Sequence, residues 1–309
     1  MPHADRTTER MTLAQWGMLL LLGAIWGGTF FFAHIALAEL SPLVLVMLRV
    51  GIAAAALHIY LWLRGPSFRP ALPYAGAFLV LALINNVLPF SLIFAGQTAT
   101  GAGLAAVLNA TTPFWTLLLV RALGRESRLP LHKLAGVLLG VAGTAVTIGP
   151  GLASQLGGPL WAKLAFVGAS GSYAVALLYA RRFSRLPPVL VAAGQLTAST
   201  AIMVPVVVAT QDAGMLFAAG PGTWTAVFAL ALVSTAFAYM LYFRLIAEAG
   251  PTNASLVTLV VPASAILLSA AFLGERLALF ELSGMLLIAL GLISIDGRLL
   301  PSRGITRGS

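Results

Sequence analysis

The chain has 309 residues, 60% of them hydrophobic and only 9% charged, with no cysteine and a formal net charge of +9. Soluble globular domains carry about 25% charged residues, so this composition excludes an ordinary soluble enzyme, and the missing thiols exclude disulfides and thiolate metal sites. The positive balance is not a nucleic-acid footprint, because the basic residues fall in short loops between apolar runs, as in the cytoplasmic loops of membrane proteins.

Runs of about 20 apolar residues cross a hydrocarbon layer about 30 Å thick, and the hydropathy pattern predicts ten transmembrane helices. The first, residues 12–38, holds Trp26 near its centre. Arg6 and Arg10 precede it, and "ALA" at Ala36–Ala38 resembles a signal cleavage site. The apolar run is too long for a leader, so it reads as a retained helix. The second helix, 42–63, contains Arg49, the one Lys or Arg well away from the ends of a predicted span. The third, 72–95, carries Asn85, Asn86 and Pro89. The fourth, 103–123, contains "VLNATTPFW", which sets Asn109 four residues before Pro113. A fifth, 132–149, precedes a sixth, 160–180, with Ser172 and Tyr173. The seventh, 187–209, holds Gln195, and the eighth, 223–245, holds Ser234, Thr235 and Tyr239. Thr258 and Pro262 lie in the ninth, 253–273, and 278–295 closes the series. "RGPSFRP", "GPGLASQLGGP" and "AGPGTW" read as turn-rich connections.

Charge sets the expected orientation. Fifteen of the 18 Lys and Arg fall in the termini and the even-to-odd loops, two (Lys163 and Arg276) in the opposite loops, and Arg49 within a span. Both termini are therefore expected in the cytoplasm.

The two halves resemble each other. Residues 79–113 align without gaps on 228–262, which sets Gly101 over Gly250, Asn109 over Thr258 and Pro113 over Pro262. "GVLLGVAG" (136–143) lies over "GMLLIALG" (284–291), and "SPLVLVMLR" over "PPVLVAAGQ", which sets Arg49 over Gln195. A five-helix unit repeated once must cross in the opposite sense the second time. The expected fold is thus an all-α polytopic membrane protein of ten transmembrane helices in two inverted five-helix repeats, 12–149 and 160–295. Inverted repeats are a construction of secondary transporters, with the substrate site near the midplane between them.

"AIWGGTFFFAHIAL", "LRVGIAAAAL", "YARRF" and "NASLVTLVVPASAILLSAAFLGERL" resemble the EamA-type branch of the drug/metabolite transporter superfamily. The resemblance spans essentially the whole chain. It implies a ten-helix 5 + 5 inverted repeat that moves small metabolites, commonly outward, in a bacterial-type plasma (inner) membrane; members move amino acids, including aromatic ones, drugs and nucleosides. The first repeat departs from the pattern at "LGRES" (Leu123–Ser127), where an arginine breaks the "LGE".

A proline deprives the carbonyl four residues earlier of its hydrogen bond. Pro89 would free Asn85, Pro113 would free Asn109, and Pro262 would free Thr258. Loose backbone at that depth is tolerated where protein buries it or a watery cavity meets it. Two readings stand side by side, kinks re-satisfied by neighbours or a central cavity. On the second, the cavity residues are Trp26, Asn85, Asn86, Asn109, Tyr173, Gln195, Ser234, Tyr239 and Thr258, with Ser172 and Thr235 at similar depth. Arg49 either holds a substrate carboxylate or satisfies freed carbonyls. His34 and His58 read as structural. "GVLLG" and "GAIWG" read as close helix packing.

Glu39, Glu248, Glu275 and Glu281 all fall near helix ends. Without a central carboxylate, facilitated diffusion or exchange is expected over proton coupling. The sequence thus points to a carrier exporting neutral or aromatic amino acids, or related small metabolites, by alternating access. A drug or nucleoside efflux carrier is the alternative; a channel or an intramembrane enzyme is remote. No cofactor or metal is expected. The partners are a small-molecule substrate and the lipid bilayer, without nucleic acid, in a monomer or weak dimer.

Overall fold

The computed structural model describes residues 11–100, 102–124, 131–156, 158–212, 214, 218–273 and 278–296. All regular structure among them is helical. Eight helices are long and apolar enough to cross a membrane: α1 (Leu13–Leu37), α2 (Pro42–Leu63), α3 (Arg69–Ala99), α4 (Leu104–Ala122), α5 (Leu131–Ile148), α6 (Leu160–Phe183), α7 (Pro188–Thr210) and α8 (Pro221–Ser255). Two further apolar helices follow, α9 (Val257–Leu273) and α10 (Leu279–Asp296). Outward-facing positions are apolar, as at Leu20, Phe31, Ile59, Leu138, Leu164, Val208 and Leu286, which suits a lipid-facing surface. Gly101 and most of "LGRES" and "LGERL", including Glu275 and Arg276, lie outside the described residues, as do the basic residues of both termini.

Local chemistry explains the ends. Thr12 and Gln15 form a reciprocal capping box at the start of α1. The Ser41 hydroxyl accepts from the Val44 N–H, and Pro42 fits the first turn of α2, where no backbone donor is needed. "GPGLASQLGGP" is more ordered than its turn chemistry suggests, since Gly151–Leu156 winds into a short helix.

The spans are more broken than the hydropathy pattern implies. α1 is interrupted at Gly28. α4 stops at Asn109 and restarts at Thr112, because Pro113 fits only the first turn of a new helix. At its far end α8 carries a break at Gly250, whose φ of 81° and ψ of 166° suit only glycine, so Pro251–Ser255 leads into α9. The break preceding α9 falls at Leu256 rather than before Pro262, which sits inside continuous helix.

Leu83–Val87 in α3 and Ala229–Phe237 in α8 are π-helical. Under the alignment of the two halves, 83–87 corresponds to 232–236, so both bulges occupy one repeat position. A π turn lengthens the hydrogen-bond ring and strips partners from nearby carbonyls, and in a membrane these must be re-satisfied internally. Ser172 Oγ donates to Ile84 O at 2.6 Å, Trp26 Nε1 donates to Ser234 O at 3.0 Å, and Thr235 Oγ1 donates to Leu230 O at 2.7 Å.

Glycines set the closest helix approaches. A Cβ at Gly136 would stand 2.6 Å from Gly291 O, and one at Gly143 would stand 2.8 Å from Gly284 O. α5 and α10 therefore pack backbone on backbone, running in opposite directions. A Cβ at Gly23 would meet Val260, and one at Gly27 would stand 2.8 Å from Ala265 N, so "GAIWG" seats α1 alongside α9 in the same direction. Next to α9, α1 also lies along α8. Gln15 Nε2 donates to Glu248 O at 3.3 Å near one end, and Gly220 N–H donates to Glu39 Oε2 at 2.7 Å at the other. The Gly220 N–H, with the Thr223 hydroxyl second, holds the Glu39 carboxyl below the usual carboxylate range.

Candidate functional site

Where the breaks and bulges converge, α1, α2, α3, α4, α6, α8 and α9 line a partly open cavity, with about 720 Å³ of empty space when the solvent at its mouth is included. Among the walls are Trp26, Thr29 and Phe30 of α1, Arg49 of α2, and Asn85, Phe90 and Phe94 of α3. Asn109 and Thr112 of α4, Tyr173 of α6, Tyr239 and Tyr242 of α8, and Ser255 and Thr258 around the α8–α9 break also line it.

Arg49 is 3% exposed and lines this cavity. Its Nε donates to Thr235 Oγ1 at 2.7 Å and its Nη2 to Ser234 O at 3.3 Å, while its guanidinium carbon stands 4.0 Å from the Phe90 ring centroid. It does not snorkel. Among the described residues it has no carboxylate within ion-pair reach, so the positive charge is held by dipoles and a ring face. The bulge in α8 gives it both acceptors.

A second polar cluster occupies the equivalent place beside the α3 bulge. Gln195 Nε2 donates to Asn86 Oδ1 at 2.9 Å, and Asn85 Nδ2 donates to Gln195 Oε1 at 3.0 Å. Asn86 Nδ2 donates to Ser199 Oγ at 2.8 Å, and Tyr239 OH donates to Asn86 Oδ1 at 2.6 Å. Buried amides need such partners.

Of the nine cavity residues expected from sequence, Trp26, Asn85, Asn109, Tyr173, Tyr239 and Thr258 line the cavity. Asn86, Gln195 and Ser234 are not on its wall. They are 0%, 0% and 1% exposed and form the hydrogen-bonded layer behind it. Ser172 and Thr235 belong to the same layer. The prolines act differently from one another. Pro113 breaks its helix, but the freed Asn109 carbonyl is taken by Thr112 Oγ1 at 2.7 Å. What remains unpaired is the Asn109 side-chain oxygen, buried without a hydrogen-bond partner. Pro89 follows the α3 bulge, and Pro262 is buried in α9.

Sequence reasoning missed Thr29, Phe30, Phe90, Phe94, Thr112, Tyr242 and Ser255. Tyr242 lies three residues beyond Tyr239, so helical spacing from Tyr239 could have found it. Trp26 and Tyr242 have ring centroids 5.3 Å apart, and Tyr239 and Tyr242 5.9 Å, which forms an aromatic wall. Among the described residues no group of three His, Asp or Glu could hold a metal ion. Among the described residues the cavity lining contains no carboxylate.

The EamA-like transporter family pattern matches residues 15–149 and again residues 160–295. The chain belongs to the EamA-like transporter family. It is 30% identical over 300 residues to "Uncharacterized inner membrane transporter YedA" of Escherichia coli (strain K12), covering 96% of this chain and 95% of that protein. It is 22% identical over 275 residues to "Uncharacterized transporter YoaV" of Bacillus subtilis (strain 168), covering 87% and 91% of the two chains. A solved crystal structure superposes with a TM-score of 0.72 at 20% identity, covering 92% of this chain and 96% of that one, a likeness of fold alone. The protein is thus a helical membrane transporter, and the cavity is where its small-molecule substrate would be sought.

Proposed function

We propose that this transporter exports amino acids, neutral or aromatic ones above all, or related small carboxylates, by alternating access through the central cavity. The observation that carries this reading is Arg49, a buried cation on the cavity wall with no ionised partner among the described residues. Burying an uncompensated charge is costly, and a substrate carboxylate would complete it. Asn85 and Asn109 add amide groups, and Trp26, Tyr239, Tyr242 and Phe90 offer ring faces to a side chain.

The repeats would be residues 12–149 and 160–295, crossing in opposite senses, with α5 and α10 bracing them at the glycine seam. The parallel run of α1 with α9 and the antiparallel run of α5 with α10 support that alternation. Basic loops support cytoplasmic termini, and the inner-membrane naming of the Escherichia coli relative supports the same membrane here. The carboxylate-free lining supports uncoupled movement or exchange rather than proton coupling. The aromatic wall favours a second reading, a lipophilic drug or nucleoside carrier.

Purified protein in liposomes loaded with amino acids, nucleosides and dyes, with and without a pH gradient, separates these. Saturable amino-acid flux that ignores the gradient is expected. No saturable amino-acid flux removes the leading substrate, and strict dependence on the gradient removes the uncoupled mechanism.

A further inference from the structure

Gln195 is fully buried and does not line the cavity, yet it bonds to Asn85, which does. The directions of its hydrogen bonds are forced along a chain. Ser199 spends its one hydroxyl proton on Gln195 O at 2.9 Å, so its oxygen can only accept. Asn86 must therefore present its NH2 to Ser199, which turns its Oδ1 toward Gln195 and Tyr239. Two donors, Gln195 Nε2 and Tyr239 OH, meet that single oxygen. Gln195 is thereby fixed with Oε1 toward Asn85, and Asn85 must give Nδ2 to it. The group left over by this chain is the Asn85 Oδ1, a pure acceptor on a cavity-lining residue. Without the chain, the Asn85 amide could present either its donor or its acceptor.

We propose that Gln195 is a positioning residue that sets specificity, holding Asn85 so that the cavity offers an amide oxygen to a hydrogen-bond-donating group, such as an ammonium, of the substrate. The inference rests on the reading of the cavity as the substrate site and adds how it discriminates. Arg49 takes an anionic group. The Asn85 oxygen takes a donor. Two ends of opposite polarity distinguish an amino acid from the same molecule without its amine.

The test compares flux of phenylalanine and 3-phenylpropionate through the purified protein in liposomes, for wild type, Gln195→Met, Gln195→Glu and Ser199→Ala. The wild type should favour phenylalanine. Gln195→Met removes both amide bonds at similar volume. It should raise the KM for phenylalanine about ten-fold, the scale of one hydrogen bond to a charged group, and leave that for 3-phenylpropionate and the maximal rate unchanged. Gln195→Glu, neutral in this buried layer, still accepts from Asn85 and donates to Asn86, and should retain the preference. Ser199→Ala should weaken it in the same direction as Gln195→Met, and keeps the question answerable where the methionine variant fails to fold. Equal losses for both substrates, or an unchanged ratio in Gln195→Met and Ser199→Ala, would overturn the positioning role while leaving the transport function standing. No saturable flux of either compound by wild type would overturn the function and this inference with it.

Discussion

Arg49 Nε donates to Thr235 Oγ1 at 2.7 Å, and the contact has an image in the other half of the molecule. Alignment of the halves sets Arg49 over Gln195 and Thr235 over Asn86. Gln195 Nε2 donates to Asn86 Oδ1 at 2.9 Å. In each case a polar side chain on the second helix of one repeat reaches the π bulge on the third helix of the other. The two contacts tie the halves together beside the cavity. One keeps a charge at the wall, and the other is neutral and buried behind it.

Replacing Arg49 by Lys keeps the charge but loses the planar fork that serves Thr235 and Ser234 together. Saturable flux of carboxylate-bearing substrates should fall about ten-fold or more, with membrane insertion retained. A neutral Met at the same position should fall as far for the acid but not for its amide analogue. Equal losses for acid and amide would assign Arg49 to structure alone.

Asn109 makes an unusual demand, because its buried side-chain oxygen has no partner. Leaving such an acceptor unsatisfied costs about 1–3 kcal/mol. Asn109→Ala should therefore hold or raise the melting temperature while flux falls about ten-fold. A drop in melting temperature with flux intact would show the amide to be structural. Pro113→Ala should also slow transport, through loss of the break that sets Asn109 at the end of one helix and Thr112 at the start of the next.

Two glycines separate backbone strain from packing. A Cβ at Gly250 meets nothing within 4 Å, but the φ of 81° penalises any L side chain. Gly250→Ala should cost about 1–3 kcal/mol through strain alone. Gly143→Ala drives a methyl to 2.8 Å from the Gly284 carbonyl and should open the α5–α10 seam as well as destabilise. Cross-linking yields between cysteines introduced along α5 and α10 should fall for Gly143→Ala and hold for Gly250→Ala.

Glu39 links the α1–α2 connection to the start of α8, and its carboxyl is lowered by the Gly220 N–H. A lowered folded value means the contribution is present above the unfolded carboxylate value and is lost as pH falls through the lowered one. The melting-temperature gap between wild type and Glu39→Gln should be positive at neutral pH, small because the group is exposed, and should close in acid. A gap that ignores pH would assign it to something other than the carboxylate.

Composition, the spacing of apolar runs and the internal repeat were enough to reach a helical membrane transporter, because a bilayer permits few solutions and length and charge report them directly. Arg49, Asn85, Asn109 and Tyr239 were legible for the same reason: polar groups are expensive in hydrocarbon and stand out there. The sorting of these residues was not legible. Asn85 and Asn86 are neighbours in sequence, yet one lines the cavity while the other is sealed behind it, because neighbours on a helix point about 100° apart and the packing of α3 against α7 decides which of them faces inward. The second bulge has no proline beside it, since Ala238 stands where the first repeat has Pro89. The carbonyl of Asn109, free by local rules, is claimed by Thr112. Hydropathy and residue type act along one helix, and so the sequence by itself determined the class of molecule and which polar groups are buried. Only the tertiary structure decided which of them bond to each other and which face an empty space, because that depends on where seven helices from two halves of the chain converge.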